Sequence, residues 1–450
     1  LNLMEQYPEF RFLQSAPYHA DIVRREYPAL FKRIQAAVAT GRWEPNGAMW
    51  VEPDCNIPSG ESFVRQLLLG QQFTRKHFGY TADAFWQPDV FGYSAALPQI
   101  LRQAGVEYFL TTKIAWNDTT RFPYDTFRWK GIDGTEVLSH FNKIHCFPDP
   151  KTLIEQWQDV QHKESADRRL SAIGYGDGGG GPQYEMLEFA RRVKDLEGCP
   201  QGEYMTVTDF MKGIAAKAHE LPEWVGELYL ELHRGTLTSI AEIKRLNRRG
   251  EEALRDAEIA WTMAGATRGR RYPAAKLHEL WAGFLVNQFH DILPGSSIPE
   301  VNDQAIAEMT DTVAAAGGLA QDALAALAGG AGRKTASHLF VLNTLGWTRG
   351  GGFQLPAESL PAGTVPDGDG VISQRLRTVT GEERVAIAGV SLPGLGAVSV
   401  PLRLGRSGGR SPFTVRGRVV NTPSVRARFD VTGRITSLLH KESGRELVAS

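Results

Sequence analysis

Between residues 84 and 111 two short apolar runs flank one helix-length segment, and this constrains the fold more than any other feature of the chain. Ala84-Phe85-Trp86 and Tyr108-Phe109-Leu110-Thr111 read as strands. From Ala95 to about Gln103 the pattern is helical, and Gly105 is placed as its C-terminal stop. Between the first run and the helix lies Trp86-Gln87-Pro88-Asp89-Val90-Phe91-Gly92-Tyr93-Ser94. Asp89 is therefore expected at the tip of a strand, in the loop that leads into a helix. In α/β folds ligands and chemistry gather there. A buried carboxylate at such a place needs a metal, a cation or a substrate. The plainer alternative is an Asp that caps the next helix.

The same alternation runs from the start of the chain to about residue 220. Tyr27 to Ala39 reads as a helix stopped at Gly41, and Ser59 to Phe78 as a helix capped by Ser59 and closed by Gly79. Thr126 to Trp129 and Thr135 to His140 read as a hairpin around Asp133-Gly134. Ser171-Ala172-Ile173 reads as a strand and Gln183 to Lys194 as a helix. This argues for an α/β domain, over 1–224, with a mostly parallel sheet flanked by helices. From 225 to 330, after the strand-like Gly226 to Glu231, three helical patterns follow, at about 240–267, 274–292 and 299–328, and read as a bundle. After the linker Gly329 to Arg333, residues 337–450 carry short apolar runs among Gly, Val and Pro and read as the beginning of a β-sandwich.

Composition excludes some functions. The 450 residues are 42% hydrophobic and 22% charged, with a formal net charge of -1. That balance supports neither nucleic-acid binding nor a polybasic membrane patch. No apolar run approaches the roughly 18 residues of a membrane span. Cys55, Cys146 and Cys199 are isolated and odd in number, so they spell neither a disulfide framework nor a metal clip, and a reducing, cytoplasmic setting is the default. The chain begins at Leu1 in a helix-like pattern, which reads as a cut within a domain, and Val448-Ala449-Ser450 reads the same way at the other end. Association into a homo-oligomer is left open.

Several strings have the residue types of a reactive site. In Asn287-Gln288-Phe289-His290-Asp291-Ile292-Leu293-Pro294-Gly295, His290 and Asp291 are expected at a helix end, since Pro294-Gly295 cannot continue it. Imidazole is the commonest metal ligand; the competing reading is a core histidine bonded to a carbonyl. Gly174-Tyr175-Gly176-Asp177-Gly178-Gly179 contains a GxGxxG string with Asp195 downstream. As a dinucleotide fingerprint it is poor, because Asp177 would set a negative charge against the pyrophosphate. It reads better as backbone cleared of side chains around one acid, or as a plain flexible loop. Trp50 to Asp54, Lys113 with Trp116-Asn117-Asp118, and Glu231-Leu232-His233-Arg234-Gly235-Thr236 set aromatic rings beside carboxylates and amides. Such a mixture suits sugars, whose rings have apolar faces and many hydroxyls. Each string alone is more often structural, and His233 and Arg234 read equally well as surface residues.

Together these strings resemble the retaining α-mannosidases of glycoside hydrolase family 38, in the bacterial, cytosolic and vacuolar-type branch. The resemblance rests on Gly41 to Pro45, Trp50 to Asp54, Pro58 to Ser62, Trp86 to Gln99, Lys113 to Asp118, Gly176 to Pro182, Glu231 to Ser239 and Asn287 to Ser297, in the family's order. It implies an α/β-barrel catalytic domain that acts on terminal α-linked mannose in an oligosaccharide or glycoside. By position, Asp89 resembles the catalytic nucleophile, which is also a zinc ligand, and His290 another ligand. Asp177 resembles the general acid/base and Asp291 a sugar-binding residue. Lys113, Trp116, Tyr93, Glu231 and Arg234 are the further candidates for substrate contact. The implied cofactor is Zn2+, with another divalent ion such as Co2+ in its place.

Two departures accompany the resemblance. The family's two other zinc ligands form a His-x-Asp string on the first barrel strand, and no such strand is read here. His19-Ala20-Asp21 has the letters but sits at the start of an expected helix. The chain is therefore expected to carry two of four ligands and a barrel lacking its first strand. Ile240 stands where a polar residue is expected after Thr238-Ser239. A metal-dependent carbohydrate deacetylase on a related barrel, and a non-catalytic carbohydrate-binding fragment, remain as alternatives.

Overall fold

Ala84–Trp86 (β1) and Tyr108–Thr111 (β2) are buried at every position, so both faces of these strands need cover. In the computed structural model, which describes residues 1–164, 166–177, 180–329, 337–405 and 412–448, they pair in parallel, with Trp86 opposite Leu110. Phe85 and Phe109 face Phe63 and Leu67 of helix α1 (Gly60–Phe78) and Leu97 and Leu101 of helix α2 (Leu97–Gln103). Ala84, Trp86, Tyr108 and Leu110 face Val207, Phe210 and Met211 of the helix Val207–Ala215. The result is a sheet with helices on both sides. Ser59 caps α1 by accepting from Ser62 N, and Gly79 closes it at φ 64°.

The hairpin strands β3 (Thr126–Lys130) and β4 (Glu136–Phe141) and the edge strand β5 (Glu223–Val225) complete the sheet, in the order β1-β2-β4-β3-β5. Only the β3–β4 pair is antiparallel; β1–β2, β2–β4 and β3–β5 are parallel. Strands β1, β2 and β4 thus end on one edge of the sheet. Asp89 follows β1 and Lys113 follows β2 at that edge. Two short parallel pairs stand beside the sheet, Phe12–Leu13 with Trp43–Glu44 and Lys143–Cys146 with Ser171–Ile173.

Two expectations are corrected here. The segment 226–231 is not a strand. Gly226 turns the chain at φ 109°, and the edge strand lies just before it, where Glu223 pairs with Lys130 at 3.0 Å. Leu228 and Leu230 are buried, but only the single bridge Tyr93–Leu228 forms. The second bundle helix also stops early. Helix α3 spans Ala241–Arg268, α4 Ala274–Val286 and α5 Pro299–Leu327. Past Val286 the backbone is recruited by another segment: Asp54 N donates to Gln288 O, and His290 N donates to Glu52 O.

The chain divides into two compact units, Leu1–Thr262 with Arg271–Gln321, and Met263–Arg270 with Asp322–Ser450. In the first, Leu246, Leu254, Trp281, Phe284 and Met309 from the helices share one core with Phe31, Trp50, Leu69 and Phe73. The α/β region and the first part of the bundle therefore fold around common side chains. In the second, two three-stranded antiparallel sheets enclose Leu360, Val385, Ile387 and Val400, in the manner of a sandwich, and a five-stranded antiparallel meander spans Thr414 to Glu446. Gly178 and Gly179 of the glycine tract, and residues 330–333 of the linker, lie outside the described residues.

Candidate active site

Asp89 leaves the sheet directly after Pro88, and its carboxylate meets Lys113 Nζ at 2.8 Å. Lys113 is a lysine with its side chain 5% exposed, against 31% for Asp89. Burial of an ammonium requires compensation, and three groups supply it. Asp89 gives a counter-charge, the Trp116 ring lies 4.4 Å from Nζ, and the Phe91 ring 5.2 Å. The strand end is braced from below. Tyr93 is fully buried, donates its hydroxyl to Gln87 O at 2.6 Å and shares a second bond with Thr111 Oγ1 at 2.7 Å. The expectation that Tyr93 touches substrate is corrected accordingly: its hydroxyl supports the floor of the site.

A cavity of about 370 Å³ opens over this pair, lined by Asp89, Phe91, Lys113, His233, Gly235, Thr236, Ser239, Asp291 and Ser296. Asp89 and Asp291, two hundred residues apart in sequence, therefore face one space. Asp291 is held by Ser296, whose Oγ donates to Oδ1 at 2.9 Å. His290 is buried beside it. Its ring lies 6.0 Å from Phe91, the same aromatic that flanks Lys113. His290 Nδ1 sits 2.9 Å from Glu52 O. A carbonyl only accepts, so Nδ1 carries the proton and Nε2 keeps its lone pair in the neutral ring. A metal-binding imidazole commonly donates its other ring N–H to a carbonyl in this way, although the same bond also suits a structural histidine. Glu52 in turn accepts from Ser15 Oγ.

The remaining candidates fall elsewhere. Asp177 does not line the cavity; its carboxylate is 75% exposed and lies 4.0 Å from His145 Nε2. Glu231 is tied to the distant segment that follows Trp116, accepting from Thr119 N at 2.8 Å and Thr120 N at 2.7 Å. Hydrogen bonds from Thr120, then Thr119, pull its carboxyl down to about 2. It organises the segment beyond Trp116, which is 48% exposed. Arg234 is exposed at the start of the short turn Arg234–Leu237. His19 and Asp21 lie on the helix Pro17–Glu26, where Asp21 pairs with Arg24 and Arg25.

Sequence reasoning missed Phe91 as the hub of the site and undervalued His233. His233 adopts φ 59° and sets its ring edge-on to Phe91 at 4.8 Å. Partial burial, then the Lys113 charge, hold its imidazole below the ordinary value, against the opposing pull of Asp89 and Asp291. No periodicity signals a left-handed histidine. Ile240 has φ 47° and sits against Gly295, where a Cβ would lie 2.8 Å from its Cγ1.

Among the described residues no group of three or more His, Cys, Asp or Glu side chains gathers to hold a metal. Zinc sites take at least three protein ligands. Asp89, with one oxygen on Lys113, and His290, with a free Nε2, fit as two donors of such a set but do not complete it.

A carboxylate held by a buried ammonium thus faces a second carboxylate across a cavity that the Phe91 ring also lines. Residues 1–227 match the glycosyl hydrolases family 38 N-terminal domain, and residues 231–327 the alpha mannosidase middle domain. The chain belongs to glycosyl hydrolase family 38. Alpha-mannosidase 2C1 of Homo sapiens is 37% identical over 458 residues, covering 100% of this chain and 42% of that protein. Alpha-mannosidase G of Dictyostelium discoideum is 43% identical over 299 residues, covering 66% of this chain and 27% of that protein. The chain thus spans less than half the length of these relatives. The crystal structure of an alpha-mannosidase from Enterococcus faecalis shares the fold, with a TM-score of 0.73 at 17% identity, over 99% of this chain and 57% of that one. Family membership leaves the deacetylase and dinucleotide readings without support. Among the described residues no helix is long and apolar enough to cross a membrane.

Proposed function

We propose that this chain carries the catalytic centre of a retaining α-mannosidase that removes terminal α-linked mannose from an oligosaccharide or glycoside. The observation that carries this reading is the Lys113-paired Asp89 carboxylate, which faces the same cavity as Asp291 at the C-terminal edge of parallel strands. Asp89 attacks the anomeric carbon and forms a glycosyl ester. Asp177 lies outside that cavity and takes the acid/base role from its place in the family's sequence strings: it protonates the departing oxygen, then takes a proton from the water that hydrolyses the ester. Asp291 accepts from sugar hydroxyls, and Trp116 offers an apolar face to the ring. Asp89 and His290 are the donors this chain would give to a zinc ion, or to cobalt in its place. The chemistry such an ion would supply there is that of a Lewis acid toward sugar hydroxyls.

The stereochemistry tests the reading. When the intact protein hydrolyses an aryl α-mannoside, proton NMR of the first product should show α-mannopyranose, with the β-anomer growing only by mutarotation. The β-anomer appearing first would contradict double displacement.

A further inference from the structure

His145, in the irregular stretch of the strand Lys143–Cys146, stands beside Asp177, which follows the paired strand Ser171–Ile173. The backbone is forced into unusual shapes to put them there. His145 has φ 55° and Asp177 φ 42°, left-handed conformations that side chains other than glycine seldom adopt. Between them in space lies Gly176, at φ 62°. A Cβ on Gly176 would sit 1.9 Å from His145 Nε2 and 2.0 Å from Cδ2. The imidazole therefore occupies the place of the missing side chain. Two strained residues and one obligatory glycine converge on a single outcome, an imidazole lodged against the turn that bears Asp177.

Within this turn His145 is the ionisable partner of Asp177, and the described residues show no other ion pair to that carboxylate. Tyr175, on the same turn, is directed elsewhere and donates to Gln183 Oε1 at 3.2 Å. The imidazole is 35% exposed, so it exchanges protons with solvent. A free carboxyl loses its proton near pH 4, whereas imidazole holds one to about pH 6.5. An exposed acid at neutral pH therefore benefits from an imidazole in reach.

We propose that His145 is a positioning and proton-supplying residue for Asp177, so that a His–Asp pair serves as the acid/base unit. The inference rests on the reading of Asp177 as the acid/base. At 4.0 Å the imidazolium passes its Nε2 proton through one intervening water to the Asp177 carboxylate, and that carboxyl delivers a proton to the departing glycosidic oxygen. The neutral ring regains a proton from bulk water. In the second half of the cycle the ionised carboxylate takes its proton from the attacking water.

The experiment follows kcat and kcat/KM of the intact protein against pH, with an aryl α-mannoside, for His145→Gln, His145→Ala and Asp177→Ala. Glutamine keeps size and hydrogen bonding but does not titrate, so a purely structural role would survive it. The expected result for both His145 variants is an alkaline limb displaced by at least about one pH unit toward acid. At neutral pH kcat should be lower by roughly tenfold with KM little changed. Far-UV circular dichroism confirms that each variant is folded. Asp177→Ala should lose turnover and regain it with azide, forming a mannosyl azide. If Asp177→Ala behaves so while both His145 variants keep the parental limb, the pairing is overturned and the acid/base reading stands. Full turnover in Asp177→Ala overturns that reading, and the pairing with it.

Discussion

Asp89→Asn should lower the turnover of an aryl α-mannoside by at least about a thousandfold, because an amide supplies no nucleophile to the anomeric carbon. Zinc content should fall in the same variant, since the substitution removes one of the two donors proposed for the ion. The cavity should otherwise persist, with a measurable cost. Lys113 is held by Asp89 at 2.8 Å and its side chain is 5% exposed, so the variant leaves a buried ammonium without its counter-charge. Removing one partner of a buried pair costs about 3–5 kcal/mol. Asp89 is 31% exposed, and solvent reaching that side lowers the expected loss to about 1–3 kcal/mol. Lys113→Met in the same background removes the stranded charge and should recover most of that stability but none of the turnover. Thermal unfolding, metal analysis and steady-state rates read these effects separately. Turnover above a tenth of the parent would contradict the role given to Asp89.

Gly70→Ala should destabilise the first unit, although alanine is the better helix former. In α1, propensity alone favours alanine by about 1 kcal/mol. A Cβ at this position would lie 2.2 Å from Ala48 O and 2.7 Å from Met49 C. These are backbone atoms, so no rotamer relieves the contact. Ala48 is already at φ 66°, with little freedom to retreat. Helix and segment must part, at an overpacking cost of about 3 kcal/mol, the upper end of the usual range, which outweighs the gain in propensity. The separation also reaches the active site. Gln66 of the same helix accepts from Val51 N and donates to Leu285 O, and Glu52, next to Val51, accepts from His290. A fall of several degrees in the melting temperature is expected by calorimetry; a rise would show that helix propensity governs the site.

Much of the α/β framework could be read from the chain because its signals are local. Ser59 and Gly79 mark the ends of α1, and the apolar run 108–111 coincides with β2. These depend on a cap, a left-handed closing residue and an unbroken apolar stretch, all contained in a few neighbours. The departures arise where distant segments intervene. Helix α4 ends at Val286 because Glu52 and Asp54 claim the backbone of 288–290, which no helical pattern in 274–292 reveals. The apolar residues of 226–231 suggested a strand, yet burial of Leu228 and Leu230 is met by one bridge to Tyr93.

The site was legible at its charged members and obscure at its supports. Asp89, Lys113 and Asp291 stood out through chemistry at turn positions, and they line one cavity. Tyr93 lay in the same string as Asp89, but which way a loop tyrosine points depends on the neighbouring strand, here Thr111. Glu231 looked equally available. Its two backbone donors, Thr119 and Thr120, lie more than a hundred positions away. His233 is brought to Phe91 by a left-handed backbone that the sequence does not announce.

The most direct test of the central claim is covalent. Incubation of the intact protein with a fluorinated mannosyl donor slows the breakdown of the glycosyl ester, and peptide mass spectrometry locates the added sugar. The account predicts one fluoromannosyl group on the peptide containing Asp89, esterified to that carboxylate and absent from Asp89→Asn. A sugar attached to any other residue, or turnover of the donor with no adduct and inverted product, would contradict it.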